Sequence, residues 1–241
     1  MKILIAYFSK SGYTKDLAKA IESKLISRGH TVEFEIIKRA KNHSWFVEIF
    51  REMPFYSSIG FALVNSWWRK YHLETCNQIE EAIEPLAYPD ITNFDIVCIG
   101  GPKWGHISYP VARYINTVKG LTGKKVGAFS TFGGPPFKLL ELELISNSMR
   151  RAITQQGAEL ISEAYISSNF HEAGLIPIFE MLSRIVLKNP ISNFTLGSDY
   201  ANNVIKRFCD NISQFYIYKH QDDSYDKQTN FNNSPLEGTF Q

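Results

Sequence analysis

Hydrophobic and polar positions change rhythm repeatedly along this chain, and the changes mark its elements. Ile3 to Phe8 is an unbroken apolar run, the length of a strand buried on both faces. After Ser9-Lys10-Ser11-Gly12-Tyr13-Thr14 the period becomes helical, with Leu17, Ala18, Ile21 and Leu25 along one face. That helix is expected to end near Gly29, a C-cap. Residues 31–37 alternate and predict a second strand, at a sheet edge. Residues 94–100 form a near-continuous apolar run and predict a central third strand. A helix is expected over 110–118, a fourth strand over 124–131, a helix over 139–156, a fifth strand over 159–167 and a last helix over 198–215. This alternation predicts an α/β domain with a doubly wound parallel sheet.

Two apolar stretches interrupt the pattern. In residues 42–75, Trp45, Phe46, Ile49, Phe50 and Met53 recur at helical spacing, Pro54 breaks the run, and Leu63, Val64, Trp67, Trp68 and Tyr71 repeat it. Two short amphipathic helices fit, with Arg51, Arg69 and Lys70 on their polar faces. A cover over the sheet, a lid over a flat ligand, a dimer face and a peripheral membrane patch all fit this composition. The second insertion spans about 171–191, with Leu175, Ile176, Ile178, Phe179, Leu182, Ile185 and Val186 opposite Arg184 and Lys188. Residues 219–241 are polar and poor in aliphatics, and are expected to be disordered or loosely held. The domain is therefore expected over 1–218.

Composition narrows the class. The chain has 241 residues and is 44% hydrophobic, enough for one decorated domain around one substantial core. A net charge of +2 without basic blocks speaks against nucleic acid. The three cysteines form no C-x-x-C pair and suit a reducing cytoplasm, and Cys98 lies inside the third strand as a core residue. The amino-terminal apolar run is too short for a signal peptide, and no stretch reaches membrane-spanning length. His171-Glu172 lacks the second histidine of a zinc-protease helix, and no metal is expected.

The chemistry concentrates at strand carboxyl ends. The turn Ser9 to Thr14 joins a strand to a helix amino terminus, where free N–H groups and the helix dipole attract phosphate. Ser9, Ser11 and Thr14 add hydroxyls, and Gly12 permits close approach and positive φ. Neither G-x-G-x-x-G nor G-x-x-x-x-G-K-[ST] is present, so the turn suits a terminal monoester with no chemistry at phosphorus. The plain alternative is an ordinary capped turn. Pro102, Lys103, Trp104, Gly105 and His106 form a shaped loop after the third strand. Trp104 could stack on a planar ring and His106 could donate to a developing negative charge; core packing and a surface histidine are the alternatives. Thr131, Phe132, Gly133 and Gly134 lead into a comparable loop after the fourth strand.

Taken together these motifs resemble the flavodoxin-like family over most of residues 1–168 and the last helix. Ser9 to Thr14 is similar to its phosphate loop, [ST]-x-[ST]-G-x-T, and Gly100-Gly101-Pro102-Lys103-Trp104-Gly105 to its second flavin loop, G-x-P-x-W. The resemblance implies a five-stranded sheet in order 2-1-3-4-5, with FMN at the switch between strands one and three. It implies that Ser9, Lys10, Ser11, Gly12, Tyr13 and Thr14 hold the phosphate. Pro102 to His106 would border the isoalloxazine, and Thr131 to Gly134 would close the other side. The expected activity is an FMN-dependent oxidoreductase, with NAD(P)H or a redox protein as donor and a quinone-like acceptor. The alternatives are an electron-transfer protein that docks partners without small-molecule turnover, and a flavin-free scaffold. Two aromatic or apolar insertions and a near-neutral charge set this chain apart from acidic carriers. Oligomeric state stays open.

Overall fold

Lys2–Phe8 form strand β1, and every side chain from Ile3 onward is buried. Such a run has no solvent face, so its sheet must be covered on both sides. The structure, a computed structural model, describes residues 1–41, 81–103, 107–168 and 176–231. After β1 come helix α1 (Tyr13–Ile26), β2 (Thr31–Ile37), β3 (Ile96–Pro102) and α2 (Tyr109–Thr117). Then follow β4 (Lys125–Gly133), a π-helical turn (Lys138–Leu142), α3 (Glu143–Gln155) and β5 (Glu159–Ser168). The chain ends with α4 (Ile176–Leu182), a second π-turn (Ser183–Leu187), a 3-10 turn (Ile191–Phe194) and α5 (Asp199–Phe231).

The five strands make one all-parallel sheet in order β2-β1-β3-β4-β5. This is the flavodoxin-like α/β arrangement the sequence predicted, with β2 at one edge. Alternate residues of β1 serve opposite layers. Ile3, Ile5 and Tyr7 join a core with Leu17 and Ile21 of α1 and Phe208 of α5. Leu4, Ala6 and Phe8 join a second core with Val111 and Ile115 of α2 and Met149 and Ile153 of α3. Cys98 lies in the first of these cores, fully buried. Gly100 makes room in the middle of the sheet, because a Cβ there would stand 2.3 Å from the Phe129 ring.

Several boundaries differ from the sequence pattern. β3 runs on to Pro102, so the sheet reaches the base of the second loop. The helix expected from residue 139 begins with a π-turn, which the spacing of apolar residues does not distinguish from an α-turn. α5 continues past residue 215 to Phe231, and residues 232–241 lie outside the described residues. The amphipathic helices expected in 42–75 also lie outside the described residues, as do Trp104, Gly105 and His106. The two ends of the first insertion are described. Ala40 N–H donates to Ala82 O at 2.9 Å and Glu84 N–H to Lys38 O at 2.9 Å, so the chain leaves and returns through a short antiparallel ribbon beyond β2. Among the described residues, no helix is long and apolar enough to cross a membrane.

Candidate functional site

From β1 the chain first turns outward to β2 and later returns on the other side to β3. Connections leaving in opposite directions open a crevice at the strand carboxyl ends. Three of the loops singled out in the sequence start there, after β1, β3 and β4.

The first loop is organised by Ser9, whose Oγ accepts the N–H of Gly12 at 3.2 Å and of Lys15 at 3.3 Å. Gly12 has φ +95°, and a Cβ built on it would meet nothing within 4 Å. The backbone dihedral demands glycine there, and the space beside it is open. Lys10 and Ser11 are exposed and Tyr13 is half-buried on the same turn. The Ser11 hydroxyl and the Thr14 N–H have no hydrogen-bond partner among the described residues. Thr14 itself is buried at the start of α1.

Thr131 joins the loops. Its Oγ1 lies 2.8 Å from Thr14 Oγ1, tying the end of β4 to the first loop. One of the two hydroxyls donates in that bond, so the other keeps its own proton for a different acceptor. The Thr131 carbonyl accepts the Lys103 N–H at 2.8 Å, tying β4 to the second loop. Lys103 also bridges to Ile107, the next described residue. β4 runs on through Phe132 and Gly133, with the Phe132 side chain buried in the core, so the loop expected from Phe132 begins at Gly134. β5 fixes this region, where Ser168 Oγ donates to Phe132 O at 3.0 Å and Ser167 Oγ to Gly134 O at 2.7 Å. Gly133 is half-buried. Gly134 turns at φ +99°, facing Phe179 of α4.

The sequence reading missed two charged partners of this region. Glu141, on the first π-turn, accepts from Lys103 Nζ at 2.7 Å, and only 6% of the lysine side chain and 17% of the glutamate side chain are exposed. Burial pushes the Glu141 carboxyl above its usual range, and the Lys103 ammonium offsets part of that rise. Arg39, just beyond β2, pairs with Glu81 at 3.1 Å, both buried, and its guanidinium lies over the Phe8 ring 5.2 Å from the centroid. Phe8 immediately precedes Ser9, so this pair braces the first loop from behind. Sequence spacing carries no signal for either pair, since the partners are distant in the chain.

No protein-family model matches this chain, and no curated protein matches it. Among solved structures it is similar to a flavoprotein in complex with FMN from Lactobacillus acidophilus, at 20% identity, covering 74% of this chain and 97% of that chain with a TM-score of 0.41. It is similar to oxidised flavodoxin 2 from Bacillus cereus at 16% identity, covering 89% and 99% with a TM-score of 0.48. It is similar to a Streptococcus pneumonia flavodoxin at 12% identity, covering 89% and 99% with a TM-score of 0.46. The fold assignment stands on the sheet order and connections of the chain itself.

Proposed function

We propose that this protein is an FMN-dependent oxidoreductase that passes electrons from NAD(P)H, or from a redox protein, to a quinone-like acceptor. The observation that carries the reading is the convergence of three loops through Thr131 at the switch point of the sheet. The first loop fits a phosphate monoester: Gly12 leaves open space, the Ser11 hydroxyl and Thr14 N–H are unspent, and α1 presents its positive end. Ser9 shapes that loop, with Lys10 and Tyr13 on its flanks. The resemblance assigns Pro102, Lys103, Trp104, Gly105 and His106 to one side of the ring, where Trp104 would be the stacking candidate; Trp104, Gly105 and His106 lie outside the described residues. Thr131, Phe132, Gly133 and Gly134 would close the other side, Phe132 through its backbone, since its side chain is buried in the core. FMN, when bound, supplies the redox chemistry. The protein's part would be to position it. A hydride from NAD(P)H carries two electrons and one proton, and a quinone that takes those and a second proton from solvent leaves as the hydroquinone. The free buried thiols of Cys98 and Cys209 suit the cytoplasm as the place of action.

The first experiment is an absorbance spectrum of the purified protein, before and after adding FMN, followed by NADPH or NADH. Bound flavin bands that bleach with the pyridine nucleotide support the oxidoreductase. No flavin binding overturns it. One observation favours a second reading, an electron-transfer protein that docks partners. Met181, Ile185 and Val186, on α4 and the π-turn that continues it, are exposed on the segment whose Phe179 faces Gly134. Flavin that binds but bleaches only with dithionite or an added redox protein would favour that reading.

A further inference from the structure

We infer that Glu141 is a positioning residue of this site: through Lys103 it latches the second loop to the segment following the third, and it sets the net charge of the wall they form. The inference rests on the FMN reading for its ligand, and on this chain alone for its geometry.

Lys103 is held at three points. Its N–H is spent on Thr131 O, its backbone bridges Ile107, and its ammonium meets Glu141 Oε2 at 2.7 Å. The lysine side chain is turned inward, away from the solvent a surface lysine would seek. Glu141 belongs to the π-turn that follows Phe132-Gly133-Gly134 and its prolines, and its own N–H donates to Phe137 O at 2.9 Å. Two apolar side chains would pack in the same space without the desolvation cost of two charges. An ion pair there fixes where the ends of both loops sit. It also offsets the charge of the lysine that the second loop carries. Removing the glutamate charge leaves one uncompensated positive charge beside the site. Removing both charges restores neutrality.

The sign of the charge therefore separates this role from simple packing. Apoprotein is titrated with oxidised FMN and, anaerobically, with reduced FMN, in the wild type and in Glu141→Gln, Glu141→Asp, and the double variant Glu141→Gln with Lys103→Met. In Glu141→Gln the preference for reduced over oxidised FMN rises about tenfold, which for a two-electron couple is about 30 mV upward in midpoint potential. Glu141→Asp keeps the wild-type ratio even where affinity for both forms falls. The double variant returns to the wild-type ratio. A wild-type ratio in Glu141→Gln overturns the inference, and so does a double variant that behaves like the single one. Wild-type protein that binds no FMN overturns the proposed function but leaves the latch to a second readout. Hydrogen exchange at the Lys103 amide should then accelerate at least tenfold in Glu141→Gln apoprotein, and an unchanged rate overturns the latch.

Discussion

The Thr14–Thr131 contact shows how much one hydroxyl pair holds here. Both side chains are buried, and their 2.8 Å bond is a direct side-chain tie between the first loop and β4. Thr131→Val keeps the shape and leaves the Thr14 hydroxyl without its partner. The expected cost is about 1–3 kcal/mol, read from urea unfolding. Adding Thr14→Val should cost less than the first change did, because no orphan remains; a fully additive double variant would show that the bond contributes nothing. Two glycines in the same region are required for different reasons. Gly12→Ala meets open space but must hold φ +95°, a strain of about 1–2 kcal/mol that no neighbouring substitution relieves. Gly100→Ala instead drives a methyl into the Phe129 ring, an overpacking cost of about 1–3 kcal/mol. Phe129→Leu should recover part of that loss, and denaturation midpoints of the single and paired variants would reveal it.

At the scale of elements, the first insertion is joined to the sheet by the ribbon around Arg39 and Ile83 and by the buried Arg39–Glu81 pair. Glu81→Gln removes the carboxylate 3.1 Å from the buried Arg39 guanidinium, and the variant should unfold at lower urea than the wild type. Faster hydrogen exchange at Ala40 and Glu84, whose N–H groups close the ribbon, is the local sign to look for. Unchanged exchange there would mean that the ribbon, not the ion pair, holds the base. The strands themselves were legible in the sequence because burial on both faces leaves unbroken apolar runs, as in Ile3 to Phe8, and a parallel sheet needs such runs. The first loop was legible because its signal is local: hydroxyls and a glycine between a strand and a helix. The brace behind it was not. Arg39 sits in a short basic stretch that reads as a solvated exit, and Glu81 in an acidic stretch that reads the same way. Glu141 hides for a further reason: the π-turn that carries it leaves the apolar spacing of the following helix intact. Ion pairs between distant segments are made by topology, and no spacing rule within one segment reports them.

For the molecule as a whole, two groups on opposite sides of the sheet pull its pH dependence in opposite directions. His30, just before β2, sets its Nε2 2.9 Å from Ser213 Oγ of α5. Burial, then the positive charges of the amino terminus and Arg28, hold its pKa below the ordinary 6.5. The unfolded chain therefore binds that proton more readily than the native one. The His30 contribution is present above about 6.5 and is lost as pH falls through the lowered native value. Glu141 has the opposite sign. Its native carboxyl is raised above the ordinary 4.5, so the native state holds a proton that the unfolded chain has released. Its contribution is present below about 4.5 and is lost as pH rises through the raised native value. Where the two windows overlap the slopes oppose each other, and the wild-type profile should be flatter than either group alone would make it. His30→Asn removes one arm. Its melting temperature should then fall less than the wild type's as pH is lowered from 7 to about 5, while Glu141→Gln should fall more steeply over the same range. Thermal melts at half-unit pH steps decide the matter. Superimposable wild-type and His30→Asn profiles would mean that the histidine releases and regains its proton without regard to folding, and the contact with α5 would then have no part in the acid response.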